Sequence, residues 1–267
     1  MAYLNIIKKI VNMSPGPHRP WLALCLTGLF SCSVKAEANT DIRLHIMDRT
    51  QETAIPSTHR GNSQNSTLAN DVWQRLTEHS VLPHQQHSDV EHEIKLYREN
   101  RYWTERKLRA AGPYLHFVLE QLKQHGLPAE LALIPIIESR YDPRAKSHGN
   151  AAGLWQFVPV TARGLGLTID RWRDERKSIE RATTAALEYM AHLYSEFNNW
   201  SLAVAAYNAG PSRLRARIRK HGKASFQLWD LPVPQETRRY VAKFYALQHV
   251  VAHRDAYGIS LPPVQPH

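Results

Sequence analysis

The residues best placed to do chemistry lie at the end of one apolar segment. Residues 127–140 read LPAELALIPIIESR, and Leu131, Ala132, Leu133, Ile134, Ile136 and Ile137 surround the predicted helix almost completely. A helix that is apolar all round belongs inside a core. Glu138 stands at its C-terminal end, where burial and the negative end of the helix dipole both disfavour the anion. A carboxylic acid kept protonated near neutral pH is what protonating a glycosidic oxygen requires. Arg140 would oppose that shift. A glutamate at a helix end can also turn to solvent. Pro135 should kink or interrupt the helix.

The next residues supply a cleft around such an acid. Asp142-Pro143 ends the helix, because the residue before proline avoids the helical region. Gly149 to Gly153 is a run of small residues that lets backbone approach a ligand closely. Trp155, Gln156 and Pro159 follow. Residues 205–211 read AAYNAGP and end a second apolar helix. Aromatic faces stack on sugar rings, and amides pair with N-acetyl and hydroxyl groups. Trp155 fits core packing better than a sugar platform. Tyr207 and Asn208 also suit a helix end. Gln156 is hardest to explain by packing alone, since a buried amide needs partners.

The elements that must hold these residues read as helices. Helical spacing runs through residues 71–80, with Asp71 as N-cap, and through 91–111, 113–125, 179–197, 201–209, 211–220 and 237–253. Gly126 stops one helix and Pro128 starts the next. No alternating strand pattern and no repeat is found. The expected fold class is therefore all-α. His79, His84, His87 and His92 fall in a stretch that reads as loose and match no compact ligand spacing, so no metal is expected.

Three motifs in order make the chain similar to the family 1 lytic transglycosylases. The first matches at Glu138, Ser139, Tyr141, Pro143, Ala145, Ser147, Ala152, Gly153, Gln156, Pro159 and Thr161. The second, Ala-Tyr-Asn-Ala-Gly, matches at 206–210, and the third at Glu236, Thr237, Tyr240 and Val241. The resemblance covers roughly residues 70–255. It implies a goose-type, lysozyme-like helical domain with a substrate cleft. It implies that Glu138 is the one catalytic carboxylate, first acid and then base, in cleaving the MurNAc–GlcNAc β-1,4 bond. The muramic C6 hydroxyl would attack its own C1, giving a 1,6-anhydro product. Ser147, Gln156, Tyr207, Asn208 and Tyr240 would line the cleft, with peptidoglycan glycan strands as partner and no cofactor. Val158 departs mildly from the family's usual Met or Ile. No LysM repeat is read after the catalytic region, so glycan affinity should come from the cleft, the basic surface or an anchor.

The 267 residues carry 34 Lys+Arg against 24 Asp+Glu, a formal net charge of +10. That balance fits an anionic partner without choosing one. Normal globular composition excludes collagen, a wholly disordered chain and a polytopic membrane protein. Cys25 and Cys32 are the only cysteines, which leaves the body without a disulfide, a thiolate metal site or a thiol nucleophile. Residues 1–38 read as an export signal. Lys8, Lys9 and Arg19 precede an apolar run from Trp21 to Val34, and Ala36-Glu37-Ala38 offers a cleavage point. Leu29-Phe30-Ser31-Cys32 offers a competing lipobox that would give an outer-membrane lipid anchor through Cys32. Both readings place the protein in the periplasm. Residues 39–88 are expected to be a linker with a short helix, 89–258 the catalytic domain and 259–267 a tail.

Two other functions compete with the first. One is a hydrolytic muramidase in which Asp142 or Asp170 positions a water, and the other a non-catalytic peptidoglycan-binding protein. A nucleic-acid reading would rest on Arg213, Arg215, Arg217, Arg219, Lys220 and Lys223. Helical spacing is expected to spread these charges around the helix, so no nucleic-acid partner is expected. The same region suits acidic peptides of the wall. Oligomeric state is not legible in the sequence.

Overall fold

A computed structural model describes residues 71–222, 227–261 and 264. The expected signal segment with its cysteines, the linker over 39–70 and most of the last residues of the tail lie outside the described residues. Among those described, ten α-helices follow in order. They are α1 (Val72–Glu78), α2 (Ser88–Glu99), α3 (Arg101–Arg109), α4 (Gly112–His125), α5 (Ile134–Glu138), α6 (Pro159–Gly164), α7 (Ile179–Phe197), α8 (Trp200–Ala209), α9 (Pro211–His221) and α10 (Gln235–Ala252). Three short 3-10 turns lie at Ala129–Leu133, Glu175–Lys177 and Leu228–Asp230. No strand occurs among the described residues, only isolated bridges. No described helix is long and apolar enough to cross a membrane.

Helix α10 is the central post of the domain. Tyr240, Val241, Phe244, Tyr245, Leu247, Val250 and Val251 are all buried, on every side of the helix. It packs against α2, which presents Val90, Ile94 and Tyr97 at spacings of four and three. Two ion pairs fix their register. Arg238 Nε donates to Asp89 Oδ2 and Arg239 Nε to Glu93 Oε1, each at 2.6 Å. Helix α8, buried from Trp200 to Ala206, lies between α10 and α7. Truncating a fully buried core side chain, such as Leu133→Ala, should cost about 2–5 kcal/mol.

Three local outcomes differ from the periodicity. The single helix expected over 91–111 breaks at Asn100, whose side-chain amide donates to Leu96 O and so competes with the backbone there. The stretch 79–88, read as loose, is pinned from a distance. Glu130 Oε1 accepts from Ser80 Oγ, Val81 N and Leu82 N at 2.5–2.7 Å. Within it His87 Nδ1 caps α2 by accepting from Asp89 N, and its ring stacks on Trp229 at 4.2 Å. Pro135, expected to interrupt the helix that ends at Glu138, does so by starting a new helix. Residues 129–133 wind as a 3-10 turn and α5 begins at Ile134.

Candidate active site

The apolar run buries α5 with only its last two residues at the edge. Ile134, Pro135 and Ile136 are buried, while Ile137 and Glu138 are half-buried. Immediately after it the chain reverses through two residues in the left-handed region, Arg140 (φ 56°) and Tyr141 (φ 60°). Each is disfavoured by roughly 1–2 kcal/mol for a residue with a side chain. Neighbouring contacts hold them there. Tyr141 is fully buried and its hydroxyl donates to Ala132 O at 2.7 Å. Ser139 Oγ donates to Leu154 O at 2.8 Å, which joins the end of α5 to the following loop.

That loop is a small, heavily braced unit. Ala152 forms bridges to Lys146 and to Phe157. Gly153 (φ 82°) sits so close to the 3-10 turn at Glu175–Lys177 that a Cβ there would lie 1.7 Å from Arg176 O. Only glycine fits. Gln156, itself at φ 50°, uses its amide to donate to Gly153 O (2.9 Å) and Ala145 O (3.3 Å). Arg176 is buried, paired with Asp174, and donates to Asn150 O and Phe157 O. Trp155 is fully buried, and its indole donates to Thr183 Oγ1 at 3.0 Å. This is the core role expected for it.

Helices α8 and α10 bring the remaining residues to Glu138. The Tyr240 hydroxyl donates to Glu138 Oε1 at 2.6 Å. Glu138 Oε2 has no hydrogen-bond partner among the described residues. Tyr207, near the end of α8, donates to Trp155 O at 2.7 Å and lies between the rings of Phe157 and Tyr189. An open groove of about 560 Å³ runs over the carboxyl group, lined by Ile137, Glu138, Asn208, Gln235, Glu236, Arg239, Tyr240 and Lys243. On one side it shares Asn208 and Glu236 with a second cavity of about 500 Å³. On the other it shares Gln235 and Arg239 with a third of about 290 Å³.

Burial pushes the Glu138 carboxyl up to about 7, against the opposing pull of the Tyr240 hydrogen bond. Tyr240 and Tyr207 are also raised, first by burial and then by the nearby Glu138 charge, so both hydroxyls remain donors. Arg140, read from sequence as a counterweight to Glu138, is exposed; its charge is felt at Lys107, which burial, Lys243 and Arg140 together lower to about 8.

Of the residues singled out in the sequence, Glu138, Asn208 and Tyr240 share the groove wall. Ser147 is exposed on the loop, its Oγ accepting from Ala151 N. Gln156 and Tyr207 make their hydrogen bonds within and onto the loop. Gln235, Arg239 and Lys243 belong to the groove and were not anticipated. Their spacing with Glu236 and Tyr240 on one helix was the available signal. The basic helix α9 also differs from expectation. Arg213, Arg217 and Lys220 line the second cavity together, while Arg215 pairs with Glu196 at 2.8 Å.

A family model described as the transglycosylase SLT domain matches residues 92–229. The chain belongs to this family. Among relatives of this transglycosylase SLT chain, membrane-bound lytic murein transglycosylase D of Escherichia coli strain K12 is 36% identical over 196 residues. That match covers 72% of this chain and 43% of the relative, so the chain spans less than half of that protein's length. The soluble lytic murein transglycosylase of Salmonella typhimurium is 32% identical over 123 residues, covering 43% of this chain and 19% of the relative. Among solved structures, an inactive mutant of the lytic transglycosylase Slt from Pseudomonas aeruginosa aligns with 26% identity and a TM-score of 0.44. It covers 64% of this chain and 28% of that one.

Proposed function

We propose that this chain is a peptidoglycan lytic transglycosylase with Glu138 as its catalytic acid and base. The observation that carries the reading is the Glu138 carboxyl, raised to about 7 by burial, on the wall of an open groove in a transglycosylase SLT chain, where the other wall carboxylate, Glu236, is exposed. At neutral pH such a group is divided between its two protonation states, which suits two opposite proton transfers in one turnover. Protonated Glu138 gives its proton to the bridging oxygen between MurNAc and GlcNAc as the bond from that oxygen to C1 breaks. The resulting carboxylate faces the positive charge that develops at C1. It then takes the proton of the muramic C6 hydroxyl as O6 bonds to C1. No water enters, and the enzyme regains its starting proton. A nucleophile carried by the substrate gains the advantage of proximity. The substrate's N-acetyl group supplies the assistance that a second carboxylate gives in the two-carboxylate scheme.

Tyr240 would hold Oε1 and leave Oε2 to move the proton. Asn208 would pair with substrate amides and hydroxyls across the groove, and Ser147 would meet the glycan at the loop's exposed edge. Gln156 and Tyr207 would act by fixing the loop that carries this edge. Two observations weigh against a hydrolytic reading. Asp142 accepts from Arg144 N, Asp170 accepts from Trp172 N and Arg173 N, and neither lines the groove with Glu138. Digestion of purified peptidoglycan followed by mass spectrometry of the sugar termini tests the proposal. Anhydromuramoyl ends are expected, and reducing ends would replace the reading with a muramidase.

Export to the periplasm goes with this substrate and with the charged-apolar-small order of residues 1–38. Lipid attachment at Cys32 would hold the domain at the outer membrane. The mass of the mature protein separates acylated Cys32 from a start at Asn39.

A further inference from the structure

We infer that the cavity between α9 and the start of α10 is a binding site for the acidic peptide carried by the muramic residue, read by Arg213, Arg217 and Lys220. This rests on the proposed peptidoglycan substrate and deepens it. The three cations lie four and three residues apart, so one face of α9 presents all of them. They line the cavity of about 500 Å³ opposite Val233 and Pro234. None has an ion-pair or hydrogen-bond partner among the described residues. The contrast on the same helix is Arg215, which Glu196 neutralises on another face. The only carboxylate in the cavity is Glu236, exposed at the boundary shared with the Glu138 groove.

The glycan's hydroxyl and N-acetyl groups are uncharged and give three clustered cations nothing to pair with. A peptide bearing free carboxylates does, and bidentate guanidinium–carboxylate pairing is favoured geometry. Continuity supplies the route. The cavity shares Asn208 and Glu236 with the groove over Glu138, so a branch from a sugar in that groove enters it without leaving the surface. Apolar lining from Leu214, Val233 and Pro234 suits the peptide's aliphatic parts.

The test compares two substrates and one ligand, using the full chain. Cleavage rates are measured on peptide-bearing glycan strands and on strands stripped of peptide by an amidase, whose freed lactyl carboxylates are then converted to amides so that no anionic group remains. The variants are Arg213→Gln/Arg217→Gln/Lys220→Gln and, as control, Arg215→Gln. The triple variant should lose about tenfold in the ratio of kcat/KM between peptide-bearing and stripped strands, as expected for lost charge-assisted pairs. The control should keep the wild-type ratio. A triple variant with an unchanged ratio, or one that slows equally on both strands, would overturn the inference. Calorimetry with a released stem peptide adds a readout independent of turnover. Wild type should bind it at least tenfold more tightly than the triple variant. Equal binding by both, or wild-type binding no tighter than that of an unrelated peptide of the same charge, would also overturn it. If the wild-type chain cleaved neither kind of strand yet bound the peptide through these residues, the catalytic reading would fail while the site stood.

Discussion

Glu138 and Glu175 mark two regions that treat a withdrawn carboxylate in opposite ways. Glu175 is 4% exposed and closes the loop before α7. Its Oε2 accepts from Thr168 N at 2.7 Å, while Arg173 and Arg181 approach Oε1 at 2.6 and 3.4 Å. These partners hold its carboxyl below the usual range, the Thr168 amide first. Glu138 is less deeply covered, has one hydrogen bond, and is raised to about 7. Burial therefore does not determine a carboxyl's charge by itself. At Glu138 burial outweighs its one hydrogen bond, whereas at Glu175 the Thr168 amide and two arginines outweigh burial.

The sharpest way to break this comparison is Glu138→Gln. Removing the proposed acid and base should lower kcat by about 10³-fold or more, read as release of anhydromuropeptides. Its counterpart, Glu175→Ala, leaves the Thr168 amide unpaired and should cost about 2–3 kcal/mol of stability in urea unfolding. The folded fraction should keep its kcat. Smaller in size but opposite in sign is the stability effect of Glu138→Gln. A carboxyl raised from its ordinary 4.5 binds more protons folded than unfolded, so stability is lost as pH rises from 4.5 to about 7. Glutamine escapes that loss. The full shift is worth roughly 3 kcal/mol at pH 8; discounted for the solvent in the groove, the variant should be more stable than wild type by about 1–2 kcal/mol there, and nearly equal to it at pH 4. Paired melts at the two pH values check it. Glu175 should behave in reverse, contributing stability at neutral pH that fades as pH falls through its folded value. The smallest effect is expected from Tyr240→Phe. Losing the donor to Oε1 should move the alkaline limb of kcat/KM upward from about pH 7 by up to about one pH unit. A limb that stayed in place would show that Tyr240 does not set the acid's strength.

Much of this was readable before any coordinates, and the limits have a physical pattern. The raised Glu138 carboxyl was legible because its apolar surround acts locally, while a catalytic role for it is implied by the motif alone. Helices α7, α8 and α9 followed from spacing, caps and glycine stops. Contacts made across long stretches of chain were not legible. Tyr240 meets Glu138 over 102 residues, and Glu130 fixes Ser80 to Leu82 over 48–50. Neither leaves a periodic trace. Nor does backbone such as Arg140, Tyr141 and Gln156, which take conformations that their residue types disfavour. The motif named Gln156 and Tyr207, but their hydrogen bonds go to loop carbonyls, which spacing could not show.

The missing side chain of Gly153 has a consequence for anyone rebuilding this domain. With main chain lying directly on the main chain of Arg176, segment 145–157 cannot swing independently as a lid. Its exposed edge is cast in advance, so little ordering entropy would be owed by the loop on binding the proposed glycan. A chimera that imports another homologue's version of this segment should import residues 174–177 with it, as one interlocked part.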